Sequence, residues 1–360
     1  MRPCVNAGVC LHCKGISAAE KGEEHFAVNS HTLQVCVAGG GSWGTALAHL
    51  LAVKGHGVTL WLRDAAVAQA INRRHENPRY LPGRALSPRL AASTDPQVLA
   101  ADLVVLAVPT QQLRAWLTER VDFFRPGVML VNAAKGLELE TLSTCSGIAA
   151  SALTRVRPRY AVLSGPSFAA EVLEGLPTAV VLASRHRALG QRLREVFAGP
   201  TFRCYSSTDV TGVEMGGALK NVMAIAAGIC DGLGLGHNSR AALITRGLAE
   251  MCRLGVARGA RARTFMGLSG LGDLTLTCTG DLSRNRQVGL RLGRGEALES
   301  ITASLGMVAE GVKTTAAVHA LARQLGVDAP LTAAVHAILY EGRQPAAVLR
   351  DLMGRDLREE

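Results

Sequence analysis

A short β-branched run, Leu33 to Ala38, passes without a break into Gly39-Gly40-Gly41-Ser42-Trp43-Gly44-Thr45-Ala46. The glycines form a G-x-G-x-x-G that opens a helical stretch, and a second strand pattern follows at Val58 to Leu62. Few folds accept that order. Gly39 makes the tight turn, Gly41 lets a pyrophosphate approach the backbone, and Gly44 lets the helix close on the strand. The helix start then offers unpaired N–H donors and a partial positive charge to the anion. Strand, glycines, helix and second strand together predict a dinucleotide-binding unit.

The pattern continues as near-continuous apolar strands separated by helical stretches. Candidate strands are Asp102 to Val108, Val128 to Ala133, Tyr160 to Ser164, Pro177 to Ala183 and a weaker Phe202 to Tyr205. Such strands argue for a parallel sheet covered on both faces. After Thr208 the strand signal stops, and helix-period segments run to the end: Val210 to Gly232, Ser239 to Leu254, Ser283 to Leu292, Val312 to Leu325, Leu331 to Tyr340 and Ala346 to Met353. The predicted fold is α/β, a Rossmann-type doubly wound parallel sheet followed by an all-helical C-terminal domain. The expected divisions are a disordered N-terminal extension at 1–31, a nucleotide-binding domain at 32–207 and a helical substrate domain at 208–355.

Charge and composition narrow the function. The formal charge of +10 is carried by dispersed arginines, and aromatic residues make up 4%. That argues against a base-stacking platform and fits attraction of a small anionic substrate. The longest uncharged apolar run, around Asn221 to Cys230, falls well short of the roughly 18 residues of a membrane span. The first 31 residues hold no secretory core, and the expectation is a cytoplasmic protein without a membrane span. Nine cysteines, mostly within apolar segments, read as buried thiols. Cys10 and Cys13 make a C-x-x-C with no second pair at zinc spacing, so no metal site is expected.

Only six of 39 cationic residues are lysine. Two of them, Lys135 and Lys220, stand in apolar, glycine-punctuated settings. A desolvated lysine can drop its pKa far enough to pass a proton to a reacting oxygen, whereas arginine stays protonated. Lys220 follows Gly216 and Gly217 by one helical turn, and those glycines predict an open notch beneath its side chain. Lys135 and Gly165-Pro166-Ser167 follow strand ends, on the edge where ligands lie in open α/β sheets. Gly270-Leu-Gly-Asp273-Leu-Thr-Leu-Thr277 reads as a loop presenting an acid that can hold a lysine. Ser283-Arg284-Asn285 begins a helix with a serine cap, a combination suited to phosphate. At the end of the second strand both Arg63, suited to a 2′-phosphate, and Asp64, suited to a ribose diol, are present.

These motifs, with Asn77-Pro78-Arg79-Tyr80, Gly217-Ala218-Leu219-Lys220-Asn221, Asp231 to Gly236 and Ala309-Glu310-Gly311, closely resemble the bacterial NAD(P)-dependent glycerol-3-phosphate dehydrogenases from about Leu33 to Arg355. The resemblance implies hydride transfer between NADPH or NADH and dihydroxyacetone phosphate, giving glycerol 3-phosphate for phospholipid synthesis. It implies Lys220 as the proton carrier, Lys135 as the group polarising the same oxygen, and Asp273 and Thr277 as the residues that position Lys220 and the substrate hydroxyls. It further implies Gly165, Ser167, Ser283, Arg284 and Asn285 on the substrate, and Ser42, Trp43, Arg63, Lys135, Ala169, Arg284, Val308 and Glu310 on the cofactor. A small-molecule substrate is the implied partner, and a homodimer is compatible with it. His237 stands where the family usually has an acid before Asn238.

Two other readings fit less of the chain. β-Hydroxyacid dehydrogenases carry a Lys-x-x-x-Asn helix, but Asn221 follows Lys220 directly. A non-catalytic NAD(P)H sensor needs neither the lysine pair nor its acid. Removal of residues 1–31 is expected to leave kcat and KM unchanged in steady-state assays, and a loss of activity would overturn the idea of a dispensable extension.

Overall fold

The computed structural model describes residues 32–305 and 309–355; the expected extension at 1–31 and Val308 lie outside them. Eight strands form one sheet: β1 Gln34–Ala38, β2 Gly57–Trp61, β3 Leu90–Ser93, β4 Leu103–Leu106, β5 Met129–Asn132, β6 Arg159–Ser164, β7 Thr178–Ala183 and β8 Phe202–Ser207. Their order is β3-β2-β1-β4-β5-β6-β7-β8. The helices between them are α1 Ser42–Val53, α2 Ala65–Arg74, α3 Thr110–Glu119, α4 Cys145–Ala152, α5 Ala169–Leu173 and α6 Arg187–Phe197. Apolar clusters form on both faces of the sheet, one including Leu47 and Leu51 of α1, the other Leu113 and Leu117 of α3.

Two features of the sheet depart from the sequence reading. β3 was not expected: Leu-Ala-Ala-Ser has weak β propensity and lies at the edge, held by its pairing with β2. β6 and β7 run antiparallel, so the sheet is mixed rather than wholly parallel. The segment joining them carries only the five residues of α5 and stays near the end of β6, so β7 returns down the sheet without a crossover. β8 then lies parallel to β7 and ends on the edge opposite the glycine fingerprint.

That reversal aims the next helix. α7, Val210–Gly232, starts on the far edge, and its ten-residue rise to Lys220 is roughly 15 Å. A six-residue strand covers about the same distance. Lys220 is thereby returned to the edge where β1, β4, β5 and β6 end.

The remaining helices are α8 Gly236–Ala257, α9 Ala262–Phe265, α10 Asp273–Thr279, α11 Arg284–Gly293, α12 Leu298–Leu305, α13 Glu310–Leu325, α14 Pro330–Tyr340 and α15 Pro345–Met353. α7 is their shared centre, buried along nearly its whole length. By length and composition it could cross a membrane, yet its apolar window is fully enclosed by protein. Such a helix, apolar all round, belongs in a core. Asp209 caps it, Oδ1 accepting from Gly212 N at 2.9 Å.

α7 and α11 meet through glycines. A Cβ on Gly228 would lie 2.1 Å from Arg286 O, one on Gly289 2.0 Å from Ile225 O, and one on Gly293 2.5 Å from Ile229 O. Both helices carry Gly-x-x-x-Gly, 228 with 232 and 289 with 293. The backbones are in contact with no side chain between them. Cys36, Cys145, Cys204, Cys230 and Cys278 are buried free thiols, and Cys252 is half-buried and free.

A methyl group cannot enter that contact without moving a backbone. Gly289→Ala is expected to destabilise the protein by about 1–3 kcal/mol or more in urea unfolding, the range for overpacking. An unchanged midpoint would contradict the close packing.

Candidate active site

The nucleotide-binding elements stand at the carboxyl edge of the sheet. Gly39 has φ 119°, and a Cβ there would lie 2.5 Å from Ala107 O; a Cβ on Gly44 would lie 1.9 Å from Gly39 O. At Gly41 an added Cβ meets nothing within 4 Å. The first two glycines are required by packing, the third faces open space. α1 starts at Gly41 without a side-chain cap and without an acid in its first turn. Its N–H groups are those an incoming pyrophosphate would take, and the residues fit a dinucleotide. Trp43, half-buried just inside the loop, has a buried indole N–H with no partner. Trp43 and Ala169, the first residue of α5, pack against the same apolar cluster.

Asp64 does not present a free carboxylate. Its Oδ1 accepts from Ala66 N and Val67 N, capping α2, and its Oδ2 pairs with Arg79 at 3.2 Å. The hydrogen bond from Val67 N, with those from Ala66 N and Arg79, holds its pKa below the usual carboxylate range against the opposing effect of desolvation. Arg63 beside it is exposed. Ser42 Oγ donates to Tyr80 O at 3.0 Å.

Two lysines meet on one buried acid. Asp273 Oδ2 accepts from Lys135 Nζ at 2.7 Å, and Oδ1 accepts from Lys220 Nζ at 2.7 Å. Lys135 also donates to Gly165 O at 3.0 Å, and Lys220 to Thr277 Oγ1 at 2.8 Å. Asp273 is 1% exposed and Lys220 8%. Burial would raise the Asp273 pKa, but the two ammonium groups outweigh it and hold the carboxyl below its ordinary value. Burial pushes the Lys220 ammonium down to about 8; Asp273 opposes that shift and Lys135 adds to it. The triad carries one net positive charge.

The glycines before Lys220 do not leave the open notch expected from sequence. A Cβ on Gly216 would lie 2.4 Å from Ser269 O, and one on Gly217 2.9 Å from Ser164 Oγ and 3.3 Å from Lys135 Cγ. Gly216 admits the backbone that delivers Asp273, and Gly217 admits the stem of Lys135. The space is filled by the acid's own support.

Asp273 and Thr277 also lie on a helix rather than a loop. They are one turn apart on α10, entered through a π-helical turn, Leu268–Gly272. Gly270 reads as a loop glycine, yet it is needed for packing: its Cβ would lie 2.1 Å from Phe265 O. Thr277 Oγ1 donates back to Asp273 O at 2.6 Å, which leaves its lone pairs to Lys220.

A second polar chain runs behind the lysines. Asn221 Nδ2 donates to Lys135 O at 3.0 Å, Asn285 Nδ2 donates to Asn221 Oδ1 at 2.9 Å, and Gly311 N donates to Asn285 Oδ1 at 3.0 Å. Asn285 therefore joins α7, α11 and α13. Asn221 was not assigned a role from sequence, although two adjacent polar residues in so apolar a helix are the signal for one. Ser283, 4% exposed, caps α11 by accepting from Arg286 N at 3.2 Å, while Arg284 is exposed. Ser167 Oγ donates to Gly165 O at 3.0 Å. His237 Nδ1 lies 2.7 Å from Arg240 Nη2, away from the lysine pair's hydrogen bonds.

Glu310 joins α13 to α3: Thr110 N, at the start of α3, donates to its Oε1 at 2.8 Å. Burial raises its pKa, opposed by that N–H and by Arg284. Among the described residues no group of three or more His, Cys, Asp or Glu gathers as a metal site.

The family profile described as NAD-dependent glycerol-3-phosphate dehydrogenase N-terminus matches residues 34–190, and that for the C-terminus matches 209–350. An NAD(P)+ glycerol-3-phosphate dehydrogenase of Desulfovibrio desulfuricans is 75% identical over 328 residues, 91% of this chain and 99% of that protein. One of Nitratidesulfovibrio vulgaris is 60% identical over 330 residues, 91% of this chain and 100% of that protein. A crystal structure of glycerol-3-phosphate dehydrogenase from Coxiella burnetii superposes with a TM-score of 0.85 at 40% identity, covering 89% of this chain and 98% of that one.

Asp273→Asn leaves two buried ammonium groups without a counter-charge. The expected cost is about 3–5 kcal/mol in chemical denaturation at neutral pH, the range for removing one partner of a buried pair. A loss below about 1 kcal/mol would mean that solvent reaches the lysines.

Proposed function

This chain belongs to the NAD-dependent glycerol-3-phosphate dehydrogenase family, and on that premise we propose that it interconverts dihydroxyacetone phosphate and sn-glycerol 3-phosphate. NADPH or NADH, when bound, supplies the hydride that reaches the carbonyl carbon of the ketone. The chain's own residues handle charge and protons. Lys220 gives a proton to the carbonyl oxygen as it becomes an alkoxide, and takes it back in the oxidation. Lys135 directs its positive charge at the same oxygen, a contribution of a few kcal/mol in the transition state.

The observation that carries this reading is the buried Lys135–Asp273–Lys220 triad. Lys220 can serve as acid and base near neutrality because burial brings it down to about 8. Asp273 aims both ammonium groups, and Thr277 supplies the second acceptor of Lys220. Ser283, Arg284 and Asn285 hold the phosphate at the start of α11, and Gly165 and Ser167 flank the carbon chain. The site's net positive charge favours that dianion. Gly39, Gly41 and Gly44 with Ser42, Trp43, Arg63, Ala169 and Glu310 take the cofactor. In this reading residues 32–207 form the cofactor half and 208–355 the substrate half of a cytoplasmic enzyme, active as a homodimer, that supplies the backbone of glycerophospholipids.

Purified protein is expected to oxidise NADPH or NADH only when dihydroxyacetone phosphate is added. Absence of turnover with both cofactors would remove the assignment. Lys220→Met should lower kcat by about 10²–10⁴, the range for losing a general acid, while cofactor binding followed by Trp fluorescence persists. For glycerol 3-phosphate oxidation, kcat/KM should rise with pH through about 8 as Lys220 loses its proton. The reductive direction needs the protonated form and should fall over the same interval. A flat profile in both directions would take proton transfer away from Lys220.

A further inference from the structure

The turn Asn77-Pro78-Arg79-Tyr80 is fastened to the glycine fingerprint. Asn77, fully buried, donates from Nδ2 to Gly40 O at 3.0 Å and to Thr45 Oγ1 at 2.8 Å. Its Oδ1 accepts from Tyr80 N at 3.2 Å, and Ser42 Oγ donates to Tyr80 O. The turn is therefore positioned by the same loop that would hold the pyrophosphate. What it presents to solvent is Arg79, whose guanidinium lies 5.4 Å from the centroid of the Tyr80 ring and pairs with Asp64.

Asp64 occupies the position from which an acid takes an adenosine ribose diol. Both of its oxygens are engaged, Oδ1 by two N–H groups of α2 and Oδ2 by Arg79. A diol that took both oxygens would compete with a helix cap and an ion pair. Arg79 keeps guanidinium N–H groups beyond the one that pairs with Asp64, and Arg63, next to Asp64 in the chain, is exposed. Asp64 is paired with Arg79 and preceded in the chain by the exposed Arg63, so the three residues together carry a net positive charge. That is the chemistry of a phosphate monoester, not of a diol.

We propose that Arg79 is a specificity-determining residue that, together with Arg63, binds the 2′-phosphate of NADPH and makes it the preferred cofactor. Arg79 neutralises an acid that would otherwise repel the phosphate and offers its remaining N–H groups to it. The inference rests on the cofactor part of the proposed function but not on the identity of the other substrate.

The test is calorimetric and uses the intact protein without substrate. Wild type is expected to bind 2′,5′-ADP at least about tenfold more tightly than 5′-ADP, the worth of one charge-assisted contact. Arg79→Gln should remove most of that preference while changing the Kd for 5′-ADP by less than about twofold. Arg79→Lys should keep part of it, and NADPH against NADH should follow the same order. Equal affinity of wild type for the two nucleotides would overturn the proposal. So would an Arg79→Gln variant that weakens both alike, since Arg79 would then serve the shared adenosine or pyrophosphate. If neither NADPH nor NADH binds at all, the proposed function falls with it. If dihydroxyacetone phosphate drives NADH oxidation as well as NADPH oxidation, this proposal falls and the proposed function stands.

Discussion

One buried carboxylate holding two ammonium groups is the constraint around which this fold is arranged. Asp273 comes from the helical half, Lys135 from the end of a sheet strand and Lys220 from the middle of the longest apolar helix. Bringing three charges out of water costs several kcal/mol per ion before their attraction returns any of it. Such a cluster is a poor way to stabilise a protein, and the surroundings show what it takes to build one. The antiparallel β7 sends α7 back to the active edge, Gly216 lets the Ser269 backbone in, Gly217 makes room for the Lys135 stem, and the π turn rotates Asp273 onto α10. Each concession in propensity or regularity serves the same three-charge contact.

Other buried acids have a quieter task. Glu214 accepts from Ser146 N at the start of α4 and from the Tyr160 hydroxyl of β6. Glu250 accepts from Leu331 N and Thr332 N at the start of α14, Asp209 from Gly212 N in α7 and from Arg261 N ahead of α9, and Glu310 from Thr110 N of α3. In each case a carboxylate lies against the positive end of a helix, which satisfies orphan donors and balances part of the charge. Burial still raises the pKa of Glu214, Glu250 and Glu310. Glu214 ties α7 to α4 and β6, and Glu310 ties α13 to the start of α3, so both join the helical half to elements of the sheet half.

The sequence was legible where spacing expresses a backbone requirement. The fingerprint glycines could be read because Gly39 and Gly44 admit no side chain, and the helical second half because α7 and its neighbours keep strong apolar periodicity. Lys135 and Lys220 stood out by their rarity in apolar company. What escaped was set by partners distant in sequence. β3 depends on its pairing with β2; strand direction at β7 depends on where a short connection leaves the chain; Gly216 and Gly217 look like a vacancy until Ser269 and Lys135 are placed in it. Asp64 shows the same limit, since an acid at the end of β2 looks available until the cap of α2 and Arg79 are counted. The role of Asn221 is not visible in the sequence because its partners, Lys135 O and Asn285, lie 86 and 64 positions away.

The glycine contact between α7 and α11 has a bearing on what the site can measure. Lys220 lies midway along one of these helices and Ser283 to Asn285 at the start of the other, and from those points the two run in the same sense into the core. Because backbone meets backbone at Gly228, Gly289 and Gly293, no rotamer change can widen the interval between them. The helices act as a caliper with its hinge locked. The gap from proton carrier to anion clamp is set by main-chain contact that begins within about two turns of each, so the length of molecule that can touch both is fixed by the core before any ligand arrives.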